Sequence, residues 1–325
     1  MRSWKNASRT LLDTKNGCLV QGVGCQTVPF SSTFSTNGRA LLGPQASSPA
    51  ALATKPSTSI LEIISMLLKN KTALITGGGR GIGRAIALAF ANAGARVAVA
   101  ARTLEQVNRV AEEIGGASRT NALALVCDVS DRASVEKMFE DVSAGFNGDV
   151  DILVNNAGIA ESATLAKTTD ELWHRHLAIN LTGTFYCTRA ALPAMLKNGW
   201  GRVINISSIA GKTGAPYVTA YSASKHGVMG LTRSLAMEVG ASGVTINAIC
   251  PGYVDTEMVS RGIDRITTRT GRSAEEALES LKRMSPQNRL VTSDEVAAIA
   301  LLLASEDGRG INGQGLNVDG GTVLS

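Results

Sequence analysis

The sequence of 325 residues lacks any apolar stretch near the length of a membrane-spanning helix. Such a helix needs about 20 consecutive apolar residues, so no membrane partner is expected. The chain also lacks Cys-x-x-Cys pairs, and its cysteine count is odd. Since three of the cysteines lie in apolar runs, we expect reduced, structural thiols in a reducing compartment. The cysteines are Cys18, Cys25, Cys127, Cys187 and Cys250.

Histidine is scarce, with three residues in the whole chain. His174 and His176 are two positions apart, so on a helix their side chains point in different directions. His226 has no carboxylate or cysteine near it in sequence. Because metal sites need such donors at defined spacings, the sequence predicts no metal.

Acidic residues are nearly absent from the first 65 positions, which hold two of them against six basic residues. The formal net charge of +5 therefore comes almost entirely from this segment, and the other 260 residues are nearly neutral. A nucleic-acid-binding domain carries its basic excess on a folded surface. No nucleic-acid partner is expected.

Residues 1–65 have the composition of an extension outside the folded domain. Sixteen of the first 60 residues are Ser or Thr, and the apolar residues show no sustained period, so the segment is predicted to be disordered or removed. Trp4, Ala7 and Leu11 follow a helical spacing with basic residues largely opposite, which is typical of a mitochondrial presequence and predicts a matrix location. The alternatives are translation from Met66, giving a cytoplasmic protein, and a plastid-type or other leader.

Residues 66–325 have the size and apolar content of one large domain. Short apolar runs alternate with helix-length amphipathic segments, as in βαβ units around a buried parallel sheet. Seven strands are predicted, at Thr72–Thr76, Arg96–Ala100, Ala122–Cys127, Asp151–Asn155, Gly201–Ile206, Thr245–Ile249 and Leu316–Val318. Six helices are predicted, at Ile82–Ala93, Leu104–Ile114, Arg132–Ala144, Thr182–Leu196, Thr219–Val239 and Ser293–Leu303. The expected fold is α/β, a doubly wound, seven-stranded parallel sheet in a single domain.

A glycine-rich turn follows the first predicted strand and leads directly into a helix. Gly77, Gly81 and Gly83 permit a tight turn and a close backbone approach, and the helix N-terminus presents N–H groups and positive dipole to a pyrophosphate. The second strand ends in Arg102 rather than in the acid that suits NAD, and Arg80 lies in the turn. Two cations suit a 2′-phosphate, so NADP(H) is favoured over NAD(H). The alternative is that both arginines are simply solvated.

Tyr221 and Lys225 lie one helical turn apart near the start of a predicted helix. An ammonium beside a phenol lowers the pKa of the phenol, as proton exchange with a carbonyl or alcohol oxygen requires. Ser208 follows a predicted strand, at the end of an open sheet where ligands bind. The three residues suggest a site that transfers protons to or from a substrate oxygen.

The chain resembles the short-chain dehydrogenase/reductase family over essentially all of residues 68–325, with a Rossmann-type fold. The matching motifs are Thr76-Gly-x-x-x-Gly-x-Gly83 with Ile82, Asp128 in Cys127-Asp-Val129, Asn155-Asn-Ala157-Gly158, Asn180 in Ile179-Asn-Leu181, Ser208, Tyr221-x-x-x-Lys225 and Pro251-Gly252. Their number and order make a chance match very improbable.

The resemblance implies four catalytic residues. Tyr221 would be the general acid/base, and Ser208 would hydrogen-bond the substrate oxygen. Lys225 would bind the nicotinamide ribose and lower the pKa of Tyr221. Asn180 would hold a water in the proton relay. Singly, these residues also have ordinary structural explanations, such as strand-end hydroxyls and helix caps.

The resemblance also implies a set of cofactor contacts beyond the glycine turn. Asp128 and Val129 would lie at the adenine, and Asn155 would support the glycine turn from the centre of the sheet. The other implied cofactor contacts are Ala157, Gly158, Pro251, Gly252, Val254 and Thr256, the last two at the nicotinamide carboxamide.

Residues 255–290 match the segment that folds over the substrate in this family. Two short helices are expected there, with breaks at Gly262 and Gly271. The first half is rich in arginine, which suggests contacts with the phosphates of a coenzyme A or acyl-carrier thioester, although a solvated lid surface explains the charges equally well. Its arginines are Arg261, Arg265, Arg269 and Arg272, against Asp264.

Two stretches, 221–228 and 247–254, are most similar to 3-oxoacyl and polyketide ketoreductases and to 3-hydroxybutyrate dehydrogenases. They imply NADP-dependent reduction of a 3-oxoacyl thioester or related ketone. The alternatives are NAD-dependent oxidation of 3-hydroxybutyrate or another secondary alcohol, and a non-catalytic NADP-bound scaffold or sensor. The family also implies a homotetramer assembled through the helices predicted at Thr182–Leu196 and Thr219–Val239.

Overall fold

The computed structural model describes residues 66–118 and 122–324. All of them lie in one compact unit. The expectations for residues 1–65, including Cys18 and Cys25, fall outside the described residues.

Seven strands form one sheet in the described chain, in the order β3-β2-β1-β4-β5-β6-β7. Every neighbouring pair is parallel. The strands are β1 Thr72–Thr76, β2 Arg96–Ala101, β3 Ala122–Val126, β4 Ile152–Asn155, β5 Gly201–Ile206, β6 Val244–Pro251 and β7 Gly315–Val318. The predicted fold class is confirmed, and each strand lies within two residues of its predicted bounds.

The apolar strands are buried on both faces because helices cover both sides of the sheet. In β1, Ala73 and Ile75 join one core and Leu74 joins the other, as the two-residue period of a strand requires. Helices α1, α2 and α9 cover the first face, and α3, α5 and α6 cover the second. The helices are α1 Gly81–Asn92, α2 Leu104–Ser118, α3 Arg132–Phe146, α4 Asp170–His176, α5 Gly183–Asn198, α6 Thr219–Glu238, α7 Glu257–Thr270, α8 Ala274–Lys282 and α9 Ser293–Ala304.

All six predicted helices are present, and the structure adds elements between β4 and α5. These are α4 and a π-helical turn at Leu177–Thr182, which runs directly into α5. Two short 3₁₀ turns lie at Leu165–Lys167 and Ile209–Gly211. The π-helical turn carries Asn180, one of the predicted site residues.

The segment predicted as a lid forms two helices, but only one of its predicted breaks is real. Helix α7 runs without interruption through Gly262, so that predicted break is wrong. An interior glycine costs about 1 kcal/mol relative to alanine, which does not by itself end a helix. Gly271 does end α7, with a φ of +70° that favours glycine. Ser273 then opens α8 in a capping box with Glu276.

The cysteines of the described segments behave as the sequence predicted. Cys127, Cys187 and Cys250 are buried and form no disulfide. Burial raises the pKa of each thiol, which makes all three poor nucleophiles. Among the described helices, none is both long and apolar enough to cross a membrane.

Candidate active site

The strand order reverses between β1 and β4, and this reversal defines the crevice of the fold. Ligands of open α/β sheets bind outside the carboxyl ends of the strands at such a point. The glycine turn follows β1, Asn156 follows β4, and Ser208 comes shortly after β5. The topology therefore brings most of the predicted site residues to one edge of the sheet.

The glycine turn is built so tightly that side chains are excluded from it. Gly77 has a φ of +63°, and a Cβ there would lie 2.8 Å from Asn156 Nδ2. A Cβ on Gly83 would lie 2.3 Å from the carbonyl oxygen of Gly77. Asn156 Nδ2 donates to the carbonyls of Thr76 and Gly77, at 3.0 Å each. Both glycines are therefore required by the local geometry.

The predicted support of the turn by Asn155 is wrong, because Asn156 makes those contacts. Asn155 lies in the centre of the sheet, where its Nδ2 donates to Asn205 Oδ1 (2.9 Å) and Thr188 Oγ1 (3.0 Å). Successive residues of a strand point to opposite sides, so the two neighbouring asparagines perform different tasks. Ala157 continues the support of the turn, since its N–H donates to Thr76 Oγ1 at 3.2 Å.

The start of α1 fits the pyrophosphate of a dinucleotide. Arg80 is the N-cap residue, and no side chain caps the first turn of the helix. The uncapped N–H groups and the positive end of the helix dipole are suited to an anion. Ile82 packs partly against the core and anchors this turn. A Cβ on Gly81 would come within 3.2 Å of Thr256 Cγ2, so the predicted Thr256 contact also lies beside the turn.

The two predicted phosphate-binding arginines are exposed at this edge. Arg80 forms an ion pair with Glu257, the first residue of α7. Arg102 follows β2, and its charge acts on Asp128. Burial of the Asp128 carboxyl opposes ionisation, but hydrogen bonds from Ser130 and the charge of Arg102 hold its pKa below the ordinary value.

Val129, Pro251 and Gly252 shape the backbone around the crevice. A Cβ on Gly183 would lie 2.7 Å from Val129 Cγ2, so the start of α5 packs closely on Val129. Pro251 ends β6, and the N–H of Gly252 donates to the carbonyl of Val318 at 3.0 Å. The next residues are held as well. Val254 forms an isolated bridge with Val291, and its carbonyl accepts from Thr256 Oγ1 at 3.2 Å.

Ser208, Tyr221 and Lys225 form one cluster. Ser208 lies close enough to Tyr221 for its hydroxyl to lower the pKa of the phenol. Ser208 Oγ also accepts from the N–H of Ala210 at 3.1 Å, which fixes the serine at the start of a 3₁₀ turn. Lys225 Nζ lies 5.7 Å from the centre of the Tyr221 ring and donates to the Ile206 carbonyl at 2.7 Å.

The electrostatics of this cluster differ from the expectation. Burial raises the pKa of Tyr221, against the predicted lowering by Lys225, and the Ser208 hydroxyl offsets only part of this rise. Burial also lowers the pKa of Lys225 to about 8. The ammonium of Lys225 donates to the Ile206 carbonyl, and burial dominates the pKa of the Tyr221 phenol.

Asn180 lies in the π-helical turn and connects three parts of the site. Its Oδ1 accepts from the N–H of Ile159 (2.9 Å), and its Nδ2 donates to the Ile159 carbonyl and to Ser224 Oγ (3.0 Å each). A Cβ on Gly158 would lie 3.2 Å from Asn180 Oδ1 and 3.7 Å from Lys225 Nζ. The four predicted catalytic residues therefore occupy one region. π-helical turns are frequent at functional sites.

The lid arginines contact protein groups. Arg265 donates to the carbonyl of Ala160 at 3.3 Å, Arg269 donates to that of Ser162 at 3.4 Å, and Arg261 pairs with Glu257. The contacts of Arg265 and Arg269 attach α7 to the loop that follows β4, whereas the Arg261–Glu257 pair lies within α7. Metal-binding groups of three or more His, Cys, Asp or Glu side chains are not found within residues 66–118 and 122–324.

Sequence reasoning missed Asn156 and His176. Asn156 sits inside the quoted asparagine motif, so its contact with the turn was within reach of the pattern. The sequence raises His176 only as a potential metal ligand. Its contacts depend on the fold of the segment between β4 and α5, where the sequence shows no clear periodicity.

The fold and this cluster point to a class: an α/β oxidoreductase of the dinucleotide-binding type, with Ser208, Tyr221 and Lys225 brought together beside the crevice. The sequence matches the family described as short chain dehydrogenase over residues 71–265. The protein therefore belongs to the short chain dehydrogenase family. It is an oxidoreductase that acts on alcohol or ketone groups, with the NAD(P) dependence typical of that family.

Named relatives cover nearly the whole described domain. The chain is 41% identical over 254 residues to D-beta-hydroxybutyrate dehydrogenase from Rhizobium meliloti (strain 1021), covering 77% of this chain and 98% of that protein. It is 37% identical over 258 residues to the 3-oxoacyl-acyl-carrier-protein reductase FabG of Haemophilus influenzae, covering 79% of this chain and 100% of that protein. A crystal structure of a variant actinorhodin polyketide ketoreductase with NADPH superposes with a TM-score of 0.76 at 37% identity, covering 78% and 98%.

Proposed function

We propose that the protein reduces a 3-oxoacyl thioester, carried by acyl-carrier protein or coenzyme A, to the 3-hydroxyacyl form with NADPH. The observation that carries the cofactor assignment is the pair of exposed cations, Arg80 in the glycine turn and Arg102 after β2. A 2′-phosphate needs such cations, whereas NAD is favoured by a carboxylate at the end of β2. The similarity to FabG and to a ketoreductase solved with NADPH supports the same choice.

In this proposal the described residues divide the work of proton transfer. Bound NADPH supplies the hydride to the substrate carbon. Tyr221 donates its proton to the substrate oxygen, and Ser208, whose hydroxyl influences the pKa of Tyr221, donates to the same oxygen. The ammonium of Lys225 stabilises the phenolate that forms, from 5.7 Å to the ring centre. With a pKa of about 8, Lys225 is largely charged at neutral pH.

The cofactor assignment is tested by comparing NADPH with NADH in steady-state kinetics. We expect at least a tenfold preference in kcat/KM for NADPH, and Arg102→Gln should lower this preference at least fivefold by weakening NADPH alone. Arg109→Gln, an exposed arginine on α2, is the matched control and should change nothing. A wild-type preference of tenfold or more for NADH would refute the assignment.

A second candidate is NAD-dependent oxidation of a 3-hydroxy acid, favoured by the 41% identity to D-beta-hydroxybutyrate dehydrogenase. A substrate panel separates the two functions. Acetoacetyl-coenzyme A, free acetoacetate and simple cyclic ketones should be assayed with both cofactors. Turnover of the thioester with NADPH supports the first proposal, and turnover of free acetoacetate alone with NADH supports the second.

A further inference from the structure

His176 is a fully buried histidine beside the proposed proton donor. It is the last residue of α4, and none of its surface is exposed. Its Nδ1 lies 2.8 Å from the carbonyl oxygen of Leu172, one turn earlier in the same helix. Its Nε2 lies 3.1 Å from the main-chain nitrogen of Glu161, in the loop between β4 and α4.

These two partners determine the state of the imidazole. The N–H of Glu161 is a donor, so Nε2 accepts and carries no proton. The Leu172 carbonyl is an acceptor, so Nδ1 carries the proton. Only the neutral Nδ1–H tautomer makes both bonds. A protonated ring would lose the bond to Glu161 and leave that N–H opposed to a second donor.

The same imidazole packs against the ring of Tyr221. The two ring centres are 6.5 Å apart, and the ring planes meet at 77°. This edge-to-face arrangement is a favourable aromatic geometry and restricts the phenol ring laterally. His176 is thus in contact with α6, through Tyr221, and with the loop, through Glu161.

The loop between β4 and α4, which His176 contacts, is held by hydrogen bonds at most of its residues from 159 to 163. Asn180 binds both main-chain groups of Ile159, and the lid residue Arg265 donates to the Ala160 carbonyl. The N–H of Ala163 donates to the Tyr217 carbonyl at 2.8 Å. His176 accepts the hydrogen bond from the N–H of Glu161, in the middle of this stretch. Of the residues that hold the loop, it is the one whose side chain also packs against the Tyr221 ring.

We propose that His176 is a positioning residue for proton transfer. Its neutral imidazole fixes the Tyr221 ring and the main chain of Glu161 relative to each other, and so keeps the phenol aligned with the substrate oxygen. The proposal rests on the assignment of Tyr221 as the proton donor. It does not depend on which ketone or which nicotinamide cofactor is used.

Two polar variants separate the acceptor function from simple filling of space. In His176→Gln the longer amide carries an oxygen to the position of Nε2, where it can accept from Glu161, and its planar amide occupies the place of the imidazole beside the Tyr221 ring. In His176→Asn the shorter amide can still donate to Leu172 but does not reach Glu161. His174→Gln, on the exposed side of the same helix, is the matched control. Tyr221→Phe sets the baseline.

We expect His176→Gln to keep kcat within about threefold of wild type, with an unchanged solvent deuterium isotope effect. His176→Asn should lower kcat at least tenfold and raise the solvent isotope effect on kcat, because proton transfer has become slower. The dissociation constant of the cofactor, measured by fluorescence, should stay within twofold in both variants, and His174→Gln should match wild type.

Equal kcat values in the Gln and Asn variants would overturn the proposal, as would a fall in the Asn variant with no change in the solvent isotope effect. Failure of the underlying assignment looks different. If Tyr221→Phe retains wild-type kcat, Tyr221 is not the proton donor, whatever the His176 variants do.

Discussion

At the scale of single residues, the site keeps an ammonium in a place that water hardly reaches. Lys225 is 5% exposed, and burial lowers its pKa to about 8 from an ordinary value of 10.5. Below pH 8 both the folded and the unfolded chain hold this proton, and the folded chain bears the full cost of the buried charge. Between pH 8 and 10.5 the unfolded chain holds more protons, so this lysine makes stability rise with pH.

Lys225→Met should therefore separate activity from stability. We expect kcat to fall at least a hundredfold, while the free energy of unfolding at pH 7 rises by about 1–2 kcal/mol. The gain is the relieved charge burial, of order 3 kcal/mol for this pKa shift, less the cost of leaving the Ile206 carbonyl without its donor. Urea denaturation at a series of pH values measures the free energy of unfolding, and steady-state kinetics measures kcat.

The difference in the free energy of unfolding between Lys225→Met and wild type should shrink as pH is raised from 8 toward 10, because wild type becomes more stable. Lys197→Met, at an exposed lysine near the end of α5, is the control and should show no such trend. A variant less stable than wild type at pH 7 would contradict the inferred cost of the buried ammonium.

The sequence predicted which residues form the site better than it predicted the contacts that those residues make. The spacing of Tyr221 and Lys225 predicted one cluster, and the structure places both in it. The sequence does not show that the Lys225 ammonium donates to the Ile206 carbonyl. It also does not show that burial dominates the pKa of Tyr221. Asn155 lies in the centre of the sheet as predicted, but Asn156 supports the turn, because no sequence pattern shows which of two adjacent side chains at a strand end faces the turn.

At the scale of elements, hydrophobic periodicity was sufficient for the sheet and for the long helices. It failed between β4 and α5, where α4 has only seven residues and the chain continues into a π-helical turn. Short helices show little periodicity, and a π-helical turn arises from tertiary contacts such as the bonds from Asn180 to Ile159. The lid helix α7 shows the same limit, since it passes through Gly262.

The attachment of α7 to the loop after β4 should control substrate binding. Arg265 and Arg269 donate to the carbonyls of Ala160 and Ser162, and hydrogen bonds from a charged donor contribute about 1.5–3 kcal/mol each when buried and less when exposed. Since both arginines are at least partly exposed, we expect the double variant Arg265→Gln, Arg269→Gln to raise KM for the carbonyl substrate about three- to tenfold. Cofactor affinity should stay within twofold.

The control for this prediction is Arg272→Gln, at an exposed position between α7 and α8. It should leave KM unchanged and should not alter proteolysis. Limited proteolysis of the double variant should show faster cleavage within residues 255–290 than in wild type. An unchanged KM together with an unchanged cleavage rate would mean that the two arginines do not hold the lid.

At the scale of the whole molecule, the net positive charge and the proposed site residues lie in different parts of the chain. The described residues contain every residue proposed for catalysis and for the cofactor, while most of the net charge of +5 lies in residues 1–65. The homotetramer inferred from family resemblance stays a prediction. Helix α5 does present Phe185 at 40% exposure, with Arg189 4.9 Å from its ring centre.

We propose that residues 1–65 act as a mitochondrial address and take no part in catalysis. A chain starting at Met66 should then keep kcat/KM within twofold of the full-length protein. Residues 1–65 fused to a fluorescent reporter should deliver it to mitochondria, because the spacing of Arg2, Lys5 and Arg9 relative to the apolar residues is typical of import signals. Replacing these three residues with glutamate reverses the charge without changing the length.

The reporter experiment distinguishes the alternatives directly. Import that is lost with the glutamate substitutions supports the presequence, since the positive charge is then the recognised feature. Cytosolic reporter with both sequences favours a protein that begins at Met66, and delivery to plastids in plant cells favours the other kind of leader. A fall of more than twofold in kcat/KM for the Met66 chain would instead mean that residues 1–65 contribute to catalysis.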